Sequence, residues 1–169
     1  MNKSSGKICF FNSAVAWGGG EKWHLEFACE LHKSGYNVIV FAHPDSELRK
    51  KAEAEKLHVV PLKVSNTSFL NPLKKRRLIK KLRCESVEQI ILNLSRDLKF
   101  AGTASKKAKL KRVIYRRGSA IPVKNTFYNR FLFKKVLTDI IANTKATKDT
   151  ILQNNPQLFD PEKIKVIYN

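Results

Sequence analysis

A chain of 169 residues with 43% hydrophobic content is long enough to bury a core as one domain and too apolar for wholesale disorder. Its 33 Lys and Arg against 14 Asp and Glu give a net charge of +19, a field that draws polyanions: nucleic acid, an anionic membrane surface or a phosphorylated substrate. No apolar run nears the roughly 20 residues of a membrane span, residues Met1 to Gly6 are too polar for a signal peptide, and the three cysteines, Cys9, Cys29 and Cys84, lack the spacing of a disulfide framework or zinc site. A cytoplasmic protein with no metal is expected, its cysteines acting as small hydrophobes in or near a core.

In chain order, Lys7 to Asn12 reads as a strand, followed by the glycine run Gly18-Gly19-Gly20. Glu21 to Lys33 places Trp23, Phe27, Ala28 and Leu31 on one helical face, with Gly35 positioned to cap it. Asn37 to Ala42 is a second strand, nearly all apolar, as suits a parallel strand buried on both faces. Asp45 or Ser46 can cap a helix running to about Lys56. His58 to Leu62 is a third strand, ending or lying at an edge near Pro61. Asn71-Pro72 opens a helix to about Arg83. Then come a strand at Gln89 to Leu94, a helix at Asp97 to Lys107 and a strand at Lys111 to Tyr115. A helix at Asn125 to Leu137 carries Phe127, Phe131, Leu132 and Val136 on one face. A strand at Asp139 to Asn143, a helix from Thr144 or Lys145 to Asn154, and a strand at Ile164 to Tyr168 complete the chain.

Strand and helix alternate throughout, which predicts an α/β fold: a doubly wound, mostly parallel Rossmann-like sheet with helices on both faces. Ligands of such sheets bind beyond the carboxyl ends of the strands. Chemistry is therefore expected in the loops after Phe11, Ala42, Leu94, Tyr115 and Asn143.

Gly18, Gly19 and Gly20 lie between the first strand and first helix, where bare backbone and free N–H groups receive an anion such as a donor phosphate. The run is neither G-x-G-x-x-G nor a P-loop, which disfavours a nicotinamide cofactor or a P-loop nucleotide site. Glu21 is a candidate acceptor contact, and equally an acid matching the helix dipole. Arg96 and Asp97 stand after the fourth strand as candidates for acceptor binding, and Ser95 or Asp97 could instead cap the next helix. His43, after the second strand, is similarly placed.

Gly-Gly-x-Glu, an amphipathic helix, and then Gly35-Tyr36-Asn37-Val38-Ile39-Val40 resemble the opening of retaining GT-B glycosyltransferases of the group 1, or family 4, superfamily. Asp139-Ile140-Ile141-Ala142-Asn143-Thr144, a helix, and Pro161 to Asn169 resemble that family's approach to its hinge. The resemblance spans nearly the whole chain. It implies an acceptor-side N-terminal domain over residues 1–169, with a C-terminal donor-binding domain outside the chain. It also implies a nucleotide-sugar donor, no cofactor held by this domain alone, retention of anomeric configuration, and a fragment inactive by itself. One departure matters. Where many members place a His at the end of the fifth strand, this chain reads Arg116-Arg117-Gly118. Arginine cannot serve as a base near neutral pH, but its fork can steady a departing diphosphate or grip an acceptor phosphate, so Arg116 and Arg117 are the candidate catalytic residues.

Basic residues are concentrated between Lys56 and Thr138, 22 of them against three acids, which makes either a field that attracts polyanions or else a solubilising surface or one balanced by an acidic partner domain. Lys74, Lys75, Arg76, Arg77, Lys80 and Lys81 surround the narrow stripe Leu78, Ile79 and Leu82, preceded by Phe69, Leu70 and Leu73. By resemblance and by charge this helix is a candidate contact for an anionic inner-membrane face or a phosphorylated glycolipid. The stripe itself can pack on the sheet while the cations face outward. The expected function is transfer of a sugar to a phosphorylated or lipid-linked glycan, such as a lipopolysaccharide core. The alternative is a basic nucleic-acid-binding α/β module, against which stand the missing sequence signatures and the helical spacing of Phe127, Tyr128 and Phe131, which suits a core.

Overall fold

The computed structural model describes residues 6–168. Asn169, with which the expected hinge segment ends, lies outside them, as do residues 1–5. Seven strands form one sheet in the order β3-β2-β1-β4-β5-β6-β7, and every neighbouring pair is parallel. The strands are β1 (Lys7–Asn12), β2 (Val38–Ala42), β3 (His58–Pro61), β4 (Val87–Leu92), β5 (Arg112–Arg117), β6 (Asp139–Ala142) and β7 (Ile164–Val166). The doubly wound expectation is met. Strand order reverses between β1 and β4, where a crevice opens beyond the carboxyl ends.

Strand alternation divides the core. Phe10, Val38, Val40, Ile91 and Ile114 face helices α1 (Gly19–Lys33) and α2 (Glu47–Ala54), meeting Trp23, Ala28, Leu48 and Ala52. Cys9, Phe11, Ile39, Phe41, Leu92, Val113 and Tyr115 face the other way, onto Leu78 and Leu82 of α3 (Pro72–Cys84), Leu132 and Val136, and Ile151 of α7 (Lys145–Leu152). Both faces of the sheet are therefore covered, which is why β2 is buried at every position.

Local chemistry explains most boundaries. Gly35, at φ 79°, closes α1 in a Schellman motif: its N–H donates to the His32 carbonyl, and that of Tyr36 to Leu31. Ser46 caps α2 through the Arg49 N–H, and Asn71 caps α3 through the Lys74 N–H, with Pro72 opening that helix.

Four boundaries differ from the sequence expectation in ways that bear on the site. First, α1 starts at Gly19, so two of the three glycines lie inside its first turn. Second, β4 ends at Leu92, and Asn93 and Leu94 leave the sheet to enter α4 (Ser95–Asp97), which continues through a π-helical turn (Leu98–Gly102) into α5 (Thr103–Ala108). Third, β5 runs two residues past Tyr115, because Arg116 and Arg117 still pair in register with Ile141 and Ala142 of β6. Fourth, α6 (Phe127–Phe131) passes at Leu132 into a π-helical turn (Leu132–Val136). The face read as continuous is broken there: Leu132 and Val136 are buried, while Phe127 and Phe131 are exposed rather than in the core. Cys9 is buried and Cys29 half-buried, but Cys84, at the last residue of α3, is exposed.

Candidate active site

One polar residue just after β1, Ser13, and two in α4, Arg96 and Asp97, join the strands across the switch point. The Ser13 backbone N–H donates to Asp97 Oδ2 at 3.0 Å, and the Ser13 hydroxyl donates to Asp97 Oδ1. The same hydroxyl accepts from Arg96 Nε at 2.8 Å, and Arg96 Nη2 reaches the Ser13 carbonyl at 2.8 Å. Arg96 thus acts on Asp97 through Ser13. Asp97 caps no helix; Leu94 stands at the cap position of α4. Burial raises the Asp97 carboxyl to about 7, outweighing the Ser13 bonds and the Arg96 charge that favour ionisation.

Beside this staple runs a second buried chain. Asn12 Nδ2 donates to Glu21 Oε1 at 2.9 Å, and Asn93 Nδ2 reaches the same oxygen at 3.4 Å. The Asn93 carbonyl oxygen in turn accepts from Arg116 Nη1 at 3.1 Å. The Arg116 guanidinium lies over the Trp23 ring, 4.9 Å from its centroid, and is buried. Burial works against its charge, and Glu21 opposes that effect. His24 lies beneath, edge-on to Phe10 at 5.5 Å. Neither of its ring nitrogens has a hydrogen-bond partner among the described residues, and burial, helped by the Arg116 charge, lowers it to about 3, leaving the ring neutral.

The glycines serve this chain unequally. A Cβ on Gly20 would lie 2.3 Å from Asn93 Nδ2, and one on Gly118 would lie 2.7 Å from Arg116 Nη1. A Cβ on Gly19 would meet nothing within 4 Å. Gly20 and Gly118 therefore make room for the Asn93–Arg116 pair, and Gly19 is left as bare backbone facing the cleft.

Alternation along β5 sends its two terminal arginines to opposite faces. Arg116 follows Ile114 toward α1 and lines a cleft of about 340 Å³ with Gly19, Gly20, Asn93, Gly118 and Ser119. Arg117 follows Tyr115 and lines a cleft of about 430 Å³ on the α6 side, where its Nη2 donates to the Ile121 carbonyl. A third opening, of about 450 Å³, lies over Ala14 to Ala16 and Arg96. Leu94 lines all three. The rim is one open trough wrapped around the end of β4.

The structure therefore brings Gly19, Gly20, Glu21, Arg96, Asp97 and Arg116 to one crevice and sets Arg117 across β5 from it, while Gly18 caps α1 beside Glu21. His43 is elsewhere: its Nδ1 accepts from the Asp45 N–H at 3.2 Å, closing its own turn. Lys74, Lys75, Arg76, Arg77, Lys80 and Lys81 lie on α3, over the opposite sheet face from α1. Sequence reasoning missed Asn12, Ser13 and Trp23, and gave Asn93 no role. A usable signal was present, since a buried apolar strand ends abruptly in Asn12-Ser13 at the ligand edge. Among the described residues no group of three or more His, Cys, Asp or Glu could hold a metal, and no helix is long and apolar enough to cross a membrane.

Comparison with known proteins agrees with this fold. The family model Glycosyltransferase Family 4 matches residues 17–169. Among solved structures, a glycosyltransferase from Rickettsia africae superposes with a TM-score of 0.78 at 19% identity, covering 100% of this chain and 44% of that one. Anabaena Alr3699/HepE in complex with UDP-glucose gives 0.75 at 19% identity, over 96% of this chain and 43% of that one. The lipopolysaccharide outer core galactosyltransferase WaaB gives 0.72 at 17% identity, over 96% and 45%. No curated protein sequence matches the chain. The chain spans less than half the length of these structures, and its sheet corresponds to one half of a GT-B fold. From the matched residues and the shared architecture, the chain belongs to glycosyltransferase family 4.

Proposed function

We propose that this chain is the acceptor-side half of an enzyme that moves a sugar from a nucleotide-sugar donor to a phosphorylated or lipid-linked glycan, as in lipopolysaccharide-type synthesis. The observation that carries the reading is the Arg116 guanidinium, buried yet held at the mouth of the glycine cleft by Asn93 and backed by Glu21. In the proposed reaction the bond from the sugar's anomeric carbon to the diphosphate breaks, and the nucleoside diphosphate leaves with the electron pair. An acceptor hydroxyl oxygen bonds to the anomeric carbon, and its proton passes to an oxygen of the departing diphosphate. Arg116 stabilises the charge that grows on the departing diphosphate, a role for a fixed cation that needs no proton transfer. Gly19 and the free N–H groups of the first turn of α1 face the same anion. Most donor contacts lie on a second domain outside this chain, the stereochemistry is retention, and the chain alone is inactive. The printed names of relatives that bind UDP-glucose or transfer galactose support the choice of donor class.

The enzyme works at the cytoplasmic side of an anionic membrane. Support comes from the outer face of α3, with Lys74, Arg76, Arg77, Lys80 and Lys81 exposed, and from Leu70, Leu73 and Phe127, which are 68%, 62% and 79% exposed. The Phe69 and Tyr128 rings, 5.8 Å apart, join the start of α3 to α6, so these apolar tips belong to one cation-rimmed patch.

The test is a panel of nucleotide sugars offered to the full-length enzyme, scored by the mass of the glycosylated product. Arg116→Met is expected to lower kcat by about 100-fold or more, the scale of losing one charge-stabilising donor. Undiminished turnover in that variant would reject the assignment.

A further inference from the structure

The α6-side cleft is chemically unlike the glycine cleft. Its walls are Ile121, Pro122, Val123 and Phe133, and its cations are Arg117, Lys99 and Lys124; no acid lines it. The Arg117 fork is oriented by its bond to the Ile121 carbonyl and by the Tyr115 hydroxyl beside it, and its buried Nε has no hydrogen-bond partner among the described residues. No carboxylate within ion-pair distance neutralises Arg117, Lys99 or Lys124 among the described residues. A half-buried guanidinium fixed in direction and not neutralised by a carboxylate is set to receive an anion on its planar fork. The volume of about 430 Å³ falls in the range of small-ligand sites. Apolar walls suit the C–H face of a sugar ring, and Ser95 and Ser119 offer hydroxyls at the side shared with the rest of the trough.

We infer that the cleft formed by Arg117, Lys99 and Lys124 binds a phosphate monoester carried on a hexose of the acceptor, and so selects charged glycans over uncharged ones. The inference rests on the transferase reading for the word acceptor, but binding itself does not require transfer. Arg116 and Arg117 then divide the labour: one faces the leaving diphosphate, and the other reads the acceptor's charge from the opposite side of β5.

Titration of the full chain with glucose 6-phosphate, glucose and inorganic phosphate at constant ionic strength, followed by backbone amide shifts, tests this. Glucose 6-phosphate is expected to bind at least about tenfold tighter than either glucose or inorganic phosphate, with shifts at Ser119, Lys124 and Asn129. Arg117→Gln is expected to weaken it by about tenfold, the scale of one charge-assisted bond. Lys124→Gln, at an exposed position where folding is not at stake, is expected to weaken it several-fold. Equal affinity for inorganic phosphate and glucose 6-phosphate, or unchanged binding in both variants, overturns the inference. Binding that the variants abolish supports it even if no sugar transfer is ever detected, an outcome that sinks the transferase reading alone. Transfer to uncharged glycans without phosphosugar binding sinks the inference and leaves the transferase reading standing.

Discussion

Ser13 and Asp97, 84 residues apart in sequence, are tied by two hydrogen bonds from one residue to one carboxyl group. The tie closes the β1–β4 switch point and places a carboxyl with a midpoint of about 7 beneath the trough. Because its folded value is raised, the native state binds a proton that the unfolded state has released between roughly pH 4 and 7. Stability from Asp97 is therefore fully present in acid and is lost as pH rises through about 7. His24 has the opposite sign: lowered to about 3, it costs stability as pH falls from about 6.5. Each effect approaches about 1.4 kcal/mol per pH unit, and they oppose one another between about pH 4 and 6.5. Urea unfolding across that window is expected to show near-cancellation in the wild type. Asp97→Asn should give stability that rises with pH, and His24→Phe stability that falls. Parallel pH profiles for all three proteins would contradict the assignment.

His24→Phe should also raise stability by about 1–2 kcal/mol at pH 7, because two ring nitrogens now buried without partners disappear while the edge contact with Phe10 is kept. A destabilised variant at that pH would point to a partner for the ring.

Gly19→Ala and Gly20→Ala separate the two uses of the glycine run. At Gly19 a methyl meets open space inside a helical turn, so stability should stay level or rise by up to about 1 kcal/mol. At Gly20 it displaces the Asn93 amide, releasing Arg116 from its hydrogen bond. Donor turnover by the full-length enzyme should fall at least about tenfold, with a melting temperature little changed if Asn93 simply rotates away. Turnover in Gly20→Ala equal to that of the wild type would remove Asn93 from the positioning of Arg116.

Replacing Lys74, Arg77 and Lys81 together with Gln should weaken sedimentation with phosphatidylglycerol vesicles by about 100-fold at low salt, on the basis of about 1 kcal/mol per cation near an anionic surface. Neutral vesicles should bind neither protein. Vesicle affinity independent of these residues and of salt would rule out an electrostatic docking face.

The sheet was readable from sequence because its strands are buried on both faces and announce themselves as continuous apolar runs, as Val38 to Ala42 does. Caps with a local cause, Ser46, Asn71 and Gly35, were readable for the same kind of reason. The site was legible only to the level of its loops. Asp97 reads equally as an acceptor contact or a helix cap from sequence, because its real partner, Ser13, lies across the switch point, and no local rule reports a pairing at that separation. The ends of β5 and α6 were misread for related reasons. Arg116 and Arg117 break an apolar pattern yet keep their pairing with β6, and the π-helical turn at Leu132 to Val136 shifts the phase of a helix whose composition gives no sign of it. The exposure of Phe127 follows from spacing, since nine residues from Val136 it stands on the opposite side of a helix with 3.6 residues per turn.

Neighbouring positions on β5 answer to different compartments of the rim, so Arg116 and Arg117 are not duplicates of one another. Inserting or deleting one residue ahead of them in the strand would flip both to the opposite faces, leaving each cation on the other's side of the sheet. Recognition of the donor and of the acceptor should therefore be adjustable separately, by substitutions only one peptide unit apart.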